Sequence, residues 1–238
     1  SGFIGSHLIS HAVKNGFKVT ELSLRKLAFA LNIVNIDQIE RLQADITKKE
    51  ELRQVIENRK FNYVINCAGY IDHTPFQEGG RKVIEQHFLG VMNLVECIDR
   101  GCLESFIQIG SSDEYGNCTA PQSEDSREVP ISPYSLGKAA SSHFLQMLQR
   151  TESYPATIMR IYLAYGPGQN ELRFLPQIIK GCLLDQTFPV SLGEQLRDFC
   201  YISDIVDGIF RTFDTPAAKG EIFNLASGVP VSIRAIIE

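Results

Sequence analysis

The chain has 238 residues, 44% of them hydrophobic and 21% charged, with 23 basic against 28 acidic residues for a formal net charge of −5. This is the composition of a soluble globular protein with one large domain, or one domain with a small appendage. No basic run of the kind a nucleic-acid partner needs is present, and no apolar run reaches the roughly 18 residues of a membrane-spanning helix.

Gly2-Phe3-Ile4-Gly5-Ser6-His7-Leu8 leads into apolar residues at helical spacing, Ile4, Leu8 and Ala12, and Gly16 closes that helix. Two glycines three apart at the mouth of a helix suit a pyrophosphate. Gly2 lets the backbone approach the phosphates, and Gly5 lets the helix pack on a strand; Phe3 and Ile4 complete the turn. A doubly wound sheet places a strand and one further glycine ahead of this turn, so the sequence is expected to begin inside the motif. Phe17 to Leu22 reads as a short strand. No ribose-binding acid closes it. Arg25 or Lys26 is placed to meet a 2′-phosphate, which leans towards NADP, against the alternative of a solvated basic pair. Residues 27–39 carry no clear pattern.

Arg41 to Ala44 reads as a strand ending at Asp45-Ile46, where Asp45 can accept from an adenine amine or serve as a turn residue. Thr47 is expected to cap a helix running to Arg59, with Glu50 at the capping-box position. Tyr63 to Gly69 is an apolar strand ending in small residues, Ala68 and Gly69, that permit close approach of a cofactor. A periodic helix over Arg81–Asp99 presents Ile84, Phe88, Val91, Val95 and Ile98, with His87 on or beside that face as a core histidine. Ser105 to Gly110 is a strand that delivers Ser111-Ser112-Asp113-Glu114-Tyr115-Gly116 to the carboxyl edge of the sheet, where open α/β sheets bind ligands. Residues 117–132 form a polar loop bordering a substrate pocket.

Ser132 caps, and Pro133 starts, a helix that carries Tyr134 and Lys138 four apart on one face. An ammonium beside a phenol favours phenolate, which makes Tyr134 a general acid/base for an alcohol or sugar oxygen. Ala156 to Ile161 is the next strand, followed by a turn at Gly166-Pro167-Gly168 and a helix over 174–184. Phe188-Pro189-Val190 and 197–202 read as extended, 203–213 as a helix and 221–225 as the last strand. A helix starting near Pro230 is cut off at Glu238. The six cysteines, Cys67, Cys97, Cys102, Cys118, Cys182 and Cys200, form no metal-ligand spacing and read as reduced, buried thiols of a cytoplasmic protein.

Alternating strands and helices point to an α/β parallel sheet. The motif set, in order Gly2 to Leu8, Asp45-Ile46, Asn66-Cys67-Ala68-Gly69, Tyr134 with Lys138, Tyr165-Gly166-Pro167-Gly168 and Arg197-Asp198-Phe199, resembles the extended short-chain dehydrogenase/reductases. Specifically, it is similar to their NAD-dependent epimerase/dehydratase family, which acts on nucleotide sugars. The resemblance implies a Rossmann-like dinucleotide domain over residues 1–165 and a small, interleaved, mostly substrate-binding part over 166–238.

The resemblance also implies site roles. Counting back from Tyr115-Gly116 puts the catalytic hydroxyl at Ser111, with Ser112 as fallback. Tyr134 is the acid/base, Lys138 binds ribose and tunes Tyr134, and Arg197 holds the nucleotide diphosphate of the substrate. NAD or NADP is the cofactor, and a homodimer forms through the Arg81–Asp99 helix and the Tyr134 helix.

Departures from the family pattern set the choice of reaction. The acid and base of a 4,6-dehydratase fall on Ser112 and Asp113, so the acid is missing and Asp113 is the possible base. A one-residue gap would instead give Ser112-Asp113-Glu114 as a full trio. Leu163 and His87 each stand where an asparagine is usual, Leu163 at a substrate-binding place. The expectation is an NAD(P)-dependent nucleotide-sugar epimerase or 4-keto-reductase, with a 4,6-dehydratase as the alternative. A non-catalytic NAD(P)-sensing regulator is the alternative from another class.

Overall fold

The computed structural model of the chain describes residues 2–25, 33, 36–186 and 192–238. Lys26 and the expected extended stretch at 188–190 therefore lie outside the described residues. Helix α1 (Phe3–Lys14) follows an extended Gly2 and ends at Asn15, whose side-chain amide donates to the His11 carbonyl over 2.8 Å; Gly16 then turns with φ +79°. Strands β1 (Thr20–Ser23) and β2 (Glu40–Gln43) pair in parallel.

Helix α2 (Lys49–Ile56) starts later and stops earlier than expected, and Thr47 does not cap it. Asp45 Oδ1 instead accepts from both the amide (2.9 Å) and the hydroxyl (2.7 Å) of Thr47. Glu51, not Glu50, reaches back to accept from the Asp45 amide at 3.0 Å. A local Asx turn has taken the donors a capping box would have used.

Strand β3 (Tyr63–Asn66) precedes α3 (Gly80–Ile84) and α4 (Gly90–Cys97), which run on through a π-helical turn at Glu85–Leu89. The extra residue of that turn rotates His87 inwards to 3% exposure and leaves Phe88 only partly buried. The remaining elements are β4 (Ser105–Ser111), α5 (Pro133–Glu152), β5 (Ala156–Ile161), β6 (Leu163–Tyr165), α6 (Phe174–Leu183), β7 (Leu196–Arg197), β8 (Phe199–Tyr201), α7 (Ile202–Arg211), β9 (Ile222–Leu225), β10 (Val231–Ser232) and α8 (Ile233–Ile237).

The central sheet is parallel, in the order β3-β4-β5-β9, and alternate side chains enter two cores. Phe106, Ala156 and Ile158 face α2, α4 and α5, where they meet Leu52, Leu94 and Leu145. Ile107, Ile109, Met159 and Ile161 face α1 and α7, where they meet Leu8, Ile202, Ile205 and Ile209. A parallel sheet buried on both faces by helices is the doubly wound α/β architecture. Helix α7 packs on this sheet and β9 pairs with β5 at its edge. Strands β1 and β3 are not paired with one another, and Leu22, Leu42, Val64 and Leu94 line a cavity common to both sheets. Among the described residues, no helix is long and apolar enough to cross a membrane.

Candidate active site

One cavity of about 1040 Å³ runs from the N-terminus of α1 along the carboxyl ends of β3 and β4 to α5 and α6. Its apolar arm between β1 and β3 is part of that volume, so the polar crevice at the strand ends is smaller. Gly2, Phe3, Ile4, Gly5, Arg25, Asp45, Ile46, Ala68, Gly69, Ser111, Ser112, Asp113, Tyr134, Lys138 and Leu163 all line it.

Helix α5 forms where the sequence placed it. Ser132 accepts from the Ser135 amide at 3.1 Å, Pro133 occupies the first turn, and Tyr134 and Lys138 are both 5% exposed. Ser111 ends β4, and its hydroxyl accepts from the Asp113 amide at 3.1 Å. The Ser111 hydroxyl and the Tyr134 phenol both line the cavity, and the hydroxyl is near enough to favour the phenolate.

The electrostatics differ from the expected phenol–ammonium couple. Burial pushes the Tyr134 phenol up to about 12; Ser111 and the Arg173 charge pull it down, while Asp113 and Glu114 add to the rise. Lys138 donates to the Ile109 carbonyl over 2.7 Å and stands 6.0 Å from the centre of the Tyr134 ring. Burial lowers the ammonium to about 8. The phenol is thus held protonated, as a proton donor, and Lys138 is anchored on the backbone of β4.

Burial separates the two carboxylates of 111–114. Glu114 has no exposed surface: its Oε1 accepts from the Ser111 amide at 2.9 Å, and its Oε2 accepts from Ser142 Oγ at 2.7 Å and Arg160 Nε at 2.9 Å. It is absent from the cavity wall. Asp113, with its side chain 43% exposed, faces the cavity. Of the two carboxylates, Asp113 is the one on the cavity wall.

Arg197 and five of the six cysteines are placed otherwise than expected. Arg197 sits on β7, where its guanidinium donates to Leu196 O and Gln195 Oε1, and it is not on the cavity wall. Pairing of β7 with β10 holds it there. Of the six free cysteines only Cys200 is buried, and Cys67 is exposed to the cavity. Among the described residues no group of three His, Cys, Asp or Glu could hold a metal ion.

Sequence reasoning missed Arg173, at the start of α6, and His73, both on the cavity wall. No motif marks Arg173; His73 follows the carboxyl end of β3, a position that is itself a signal in an open sheet. His87 is a core histidine that also touches the site. Its ring meets Tyr134 edge-on at 4.9 Å, and its Nε2 is 2.9 Å from the Tyr70 carbonyl. Gly69 makes room for it: a Cβ there would lie 2.2 Å from His87 Cε1.

Burial and the Lys138 charge lower His87 to about 4, from an ordinary 6.5. Between those values the unfolded chain binds the extra proton, so His87 removes stability as pH falls from 6.5 towards 4. The expected loss is on the order of 3 kcal/mol. Urea midpoints measured across that window should fall more steeply for the parent chain than for His87→Asn, and parallel curves would refute the assignment.

The α1 terminus fits a dinucleotide phosphate. The first intrahelical amide bond is Ser6 to Gly2, no side chain caps the helix, and a Cβ at Gly2 would meet nothing within 4 Å. The amides of Phe3, Ile4 and Gly5 precede that bond, at the positive end of the helix. Arg25, Asp45, Ile46, Ala68 and Gly69 extend this wall, and Tyr134 and Lys138 close it.

The family model described as NAD dependent epimerase/dehydratase family matches residues 1–226. A dTDP-D-glucose 4,6-dehydratase of Dictyostelium discoideum is 28% identical over 94% of this chain, which spans 55% of that relative's length. The epimerase Mth375 of Methanothermobacter thermautotrophicus superposes with a TM-score of 0.87 at 23% identity, over 99% of this chain and 72% of the other. A UDP-glucuronic acid 4-epimerase from Bacillus cereus, solved with UDP-glucuronic acid and NAD, gives a TM-score of 0.80 at 25% identity, over 98% of this chain and 77% of the other.

Proposed function

The chain belongs to the NAD dependent epimerase/dehydratase family, and from that premise we propose that it modifies a nucleotide sugar by hydride transfer at a sugar carbon, C4 in the favoured reading. The observation that carries the proposal is the meeting of Ser111, Tyr134 and Lys138 on one cavity that begins at the bare N-terminus of α1. Phe3, Ile4 and Gly5 hold the dinucleotide phosphates, and Lys138 with Tyr134 flanks the ribose. NAD or NADP, when bound, supplies or accepts the hydride. The exposed Arg25 beside β1 supports a 2′-phosphate.

Tyr134 gives its proton to the sugar oxygen in the reductive direction, and Ser111 steadies that oxygen as charge develops. Arg173 replaces Arg197 as the cation available to the substrate diphosphate. An epimerase or 4-keto-reductase is favoured over a dehydratase, because Ser112 offers no acid for a departing hydroxyl. A homodimer through the Arg81–Asp99 helix and α5, which expose Leu89, Leu136 and Met147, belongs to the same reading.

Native mass spectrometry of the purified full chain should find a nicotinamide dinucleotide and a nucleotide sugar bound. Incubation with UDP- and dTDP-hexoses should then give a product of unchanged mass for an epimerase. A reductase acting on the keto sugar would add two hydrogens, and loss of water would identify a dehydratase. No product and no change in nicotinamide absorbance with any of them would refute the proposal and leave a cofactor-sensing regulator.

A further inference from the structure

Helix α1 is tied to a distant turn by a side chain with no assigned role. His7 Nε2 lies 2.8 Å from the carbonyl oxygen of Pro167, a contact between positions 160 apart in the chain. A carbonyl only accepts, so Nε2 carries the hydrogen and donates it. The imidazole is steadied by Phe3, whose ring it meets edge-on at 5.2 Å. Phe3 is the first residue of α1 and lines the cavity; His7 and Pro167 do not. Any effect of His7 on a bound molecule therefore passes through the residues it holds.

The turn that His7 holds offers few handles. Gly166 and Gly168 carry no side chain, and Pro167 has no amide hydrogen, so its carbonyl is the one main-chain group through which it can hydrogen-bond. Both glycines have positive φ, +152° and +79°, and a Cβ at Gly166 would lie 2.4 Å from Ile202 Cγ2 at the start of α7. The backbone thus passes close to α7 with no polar side chain of its own to lock it, and His7 fixes it to α1. Beyond the turn the chain is braced in short steps. The Gln169 amide donates to the Gly166 carbonyl at 3.3 Å, the Arg173 amide to the Asn170 carbonyl at 2.9 Å, and the Gln177 amide, inside α6, to the Arg173 carbonyl at 3.0 Å. Gln169, Asn170 and Arg173 all line the cavity.

We propose that His7 is a positioning residue for a diphosphate held at Arg173: by anchoring Pro167 it sets the place of segment 166–173, and so of the Arg173 guanidinium, relative to α1. The central sheet does not do this by strand pairing. Strand β6, which leads into the turn, pairs with β8 in a separate two-stranded sheet. The His7 bond supplies a direct link from the cation-bearing segment to the helix whose first amides face the dinucleotide site. A charge-assisted contact between guanidinium and phosphate depends steeply on placement, so loss of the anchor weakens diphosphate binding although His7 touches no ligand. The inference deepens the proposed function and rests on its assignment of Arg173 to the substrate diphosphate.

The test is calorimetric titration of the full chain, saturated with NAD or NADP, by UDP and by dTDP, with three substitutions that separate the donor from the ring. His7→Phe keeps a ring against Phe3 and loses the donor. His7→Leu loses both. His7→Gln loses the ring and keeps an N–H where Nε2 stood. The nucleoside diphosphate should bind about tenfold more weakly to His7→Phe and His7→Leu, and within about threefold of the parent to His7→Gln. Dinucleotide affinity should stay within about threefold throughout, which also reports that each variant is folded; His7→Phe and His7→Leu carry the same expectation, so either one that folds decides. In an Arg173→Ala background His7→Phe should cost almost nothing more, because His7 acts through Arg173. Unchanged affinity in His7→Phe and His7→Leu overturns the inference and leaves the proposed function standing. So does the reverse order, with His7→Gln weak and His7→Phe normal, or a loss that adds in full to that of Arg173→Ala. Diphosphate binding that Arg173→Ala does not weaken removes Arg173 from the diphosphate and the inference with it. A parent chain that binds neither UDP nor dTDP overturns the nucleotide-sugar reading and the inference together.

Discussion

Tyr134→Phe should reduce turnover of the nucleotide sugar by about 10²–10⁴-fold while the nicotinamide dinucleotide still binds. The substitution removes one oxygen, which shares the cavity wall with the Ser111 hydroxyl. The ring remains, and with it the edge contacts to His87 at 4.9 Å and His73 at 5.6 Å. Helix α5 keeps its Ser132 cap and its proline start, so the fold has no reason to change.

The sign of the loss is informative. A phenol pushed up to about 12 is a donor at neutral pH, so the reductive direction, in which the oxygen gains a proton, should suffer most directly. Single-turnover reduction of a keto sugar, followed by nicotinamide absorbance, separates this from a binding effect. The rate should collapse at saturating substrate, and the cofactor dissociation constant should stay within about threefold, a shift of less than 1 kcal/mol. Near-normal turnover would remove Tyr134 from the chemistry.

The parts of this site that a sequence exposes are those fixed by local rules. Ser132-Pro133 marks a helix start, and residues four apart share a face, so Tyr134 and Lys138 could be placed together without coordinates. Short apolar runs at 105–110 and 156–161 mark the two central strands to within a residue, both buried along their length. What stayed hidden depends on long-range partners. The phenol's environment is not legible from spacing, because the Lys138 ammonium turns to the Ile109 carbonyl, a choice that only the position of β4 decides. The alignment of 111–114 stayed open because both carboxylates suit a loop, and only Arg160, 46 residues further along the chain, distinguishes the buried one. The π-helical turn that brings in His87 leaves no trace in hydrophobic spacing, since a single inserted residue shifts the apolar face by one position.

Replacement of Arg160 by methionine should be the most destabilising single substitution near the site. Arg160 and Glu114 have no exposed side-chain surface; Arg160 also contacts Glu128 and lies 4.4 Å from the centre of the Tyr115 ring. Removing the cation leaves two buried or nearly buried carboxylates without their counter-charge, a loss of about 3–5 kcal/mol. The penalty should depend on pH in a defined direction. Without Arg160 the Glu128 carboxyl loses the guanidinium that lowers it and keeps the burial that raises it, so the folded variant binds more protons and its stability falls as pH rises through that interval. The urea midpoint of Arg160→Met should therefore recover part of its deficit on acidification towards pH 5, whereas the parent chain should not gain.

Function should fail along with stability, for a traceable reason. Glu114 ties the Ser111 amide at the end of β4 to Ser142 on α5, one turn beyond Lys138. Gly110 gives it room, since a Cβ there would lie 2.5 Å from Glu114 Oε1. The separation of Ser111 from Tyr134 is thus set by a buried carboxylate that never meets the substrate. Glu114→Gln keeps the shape and can still accept from Ser111, but it cannot accept from both Ser142 and Arg160 through its second head atom, which is now a donor. It should therefore show a smaller stability loss than Arg160→Met and a drop in turnover at saturating substrate, with the Michaelis constant little changed. An Arg160→Met variant that matched the parent in both midpoint and turnover would show that the clamp does not hold the site together.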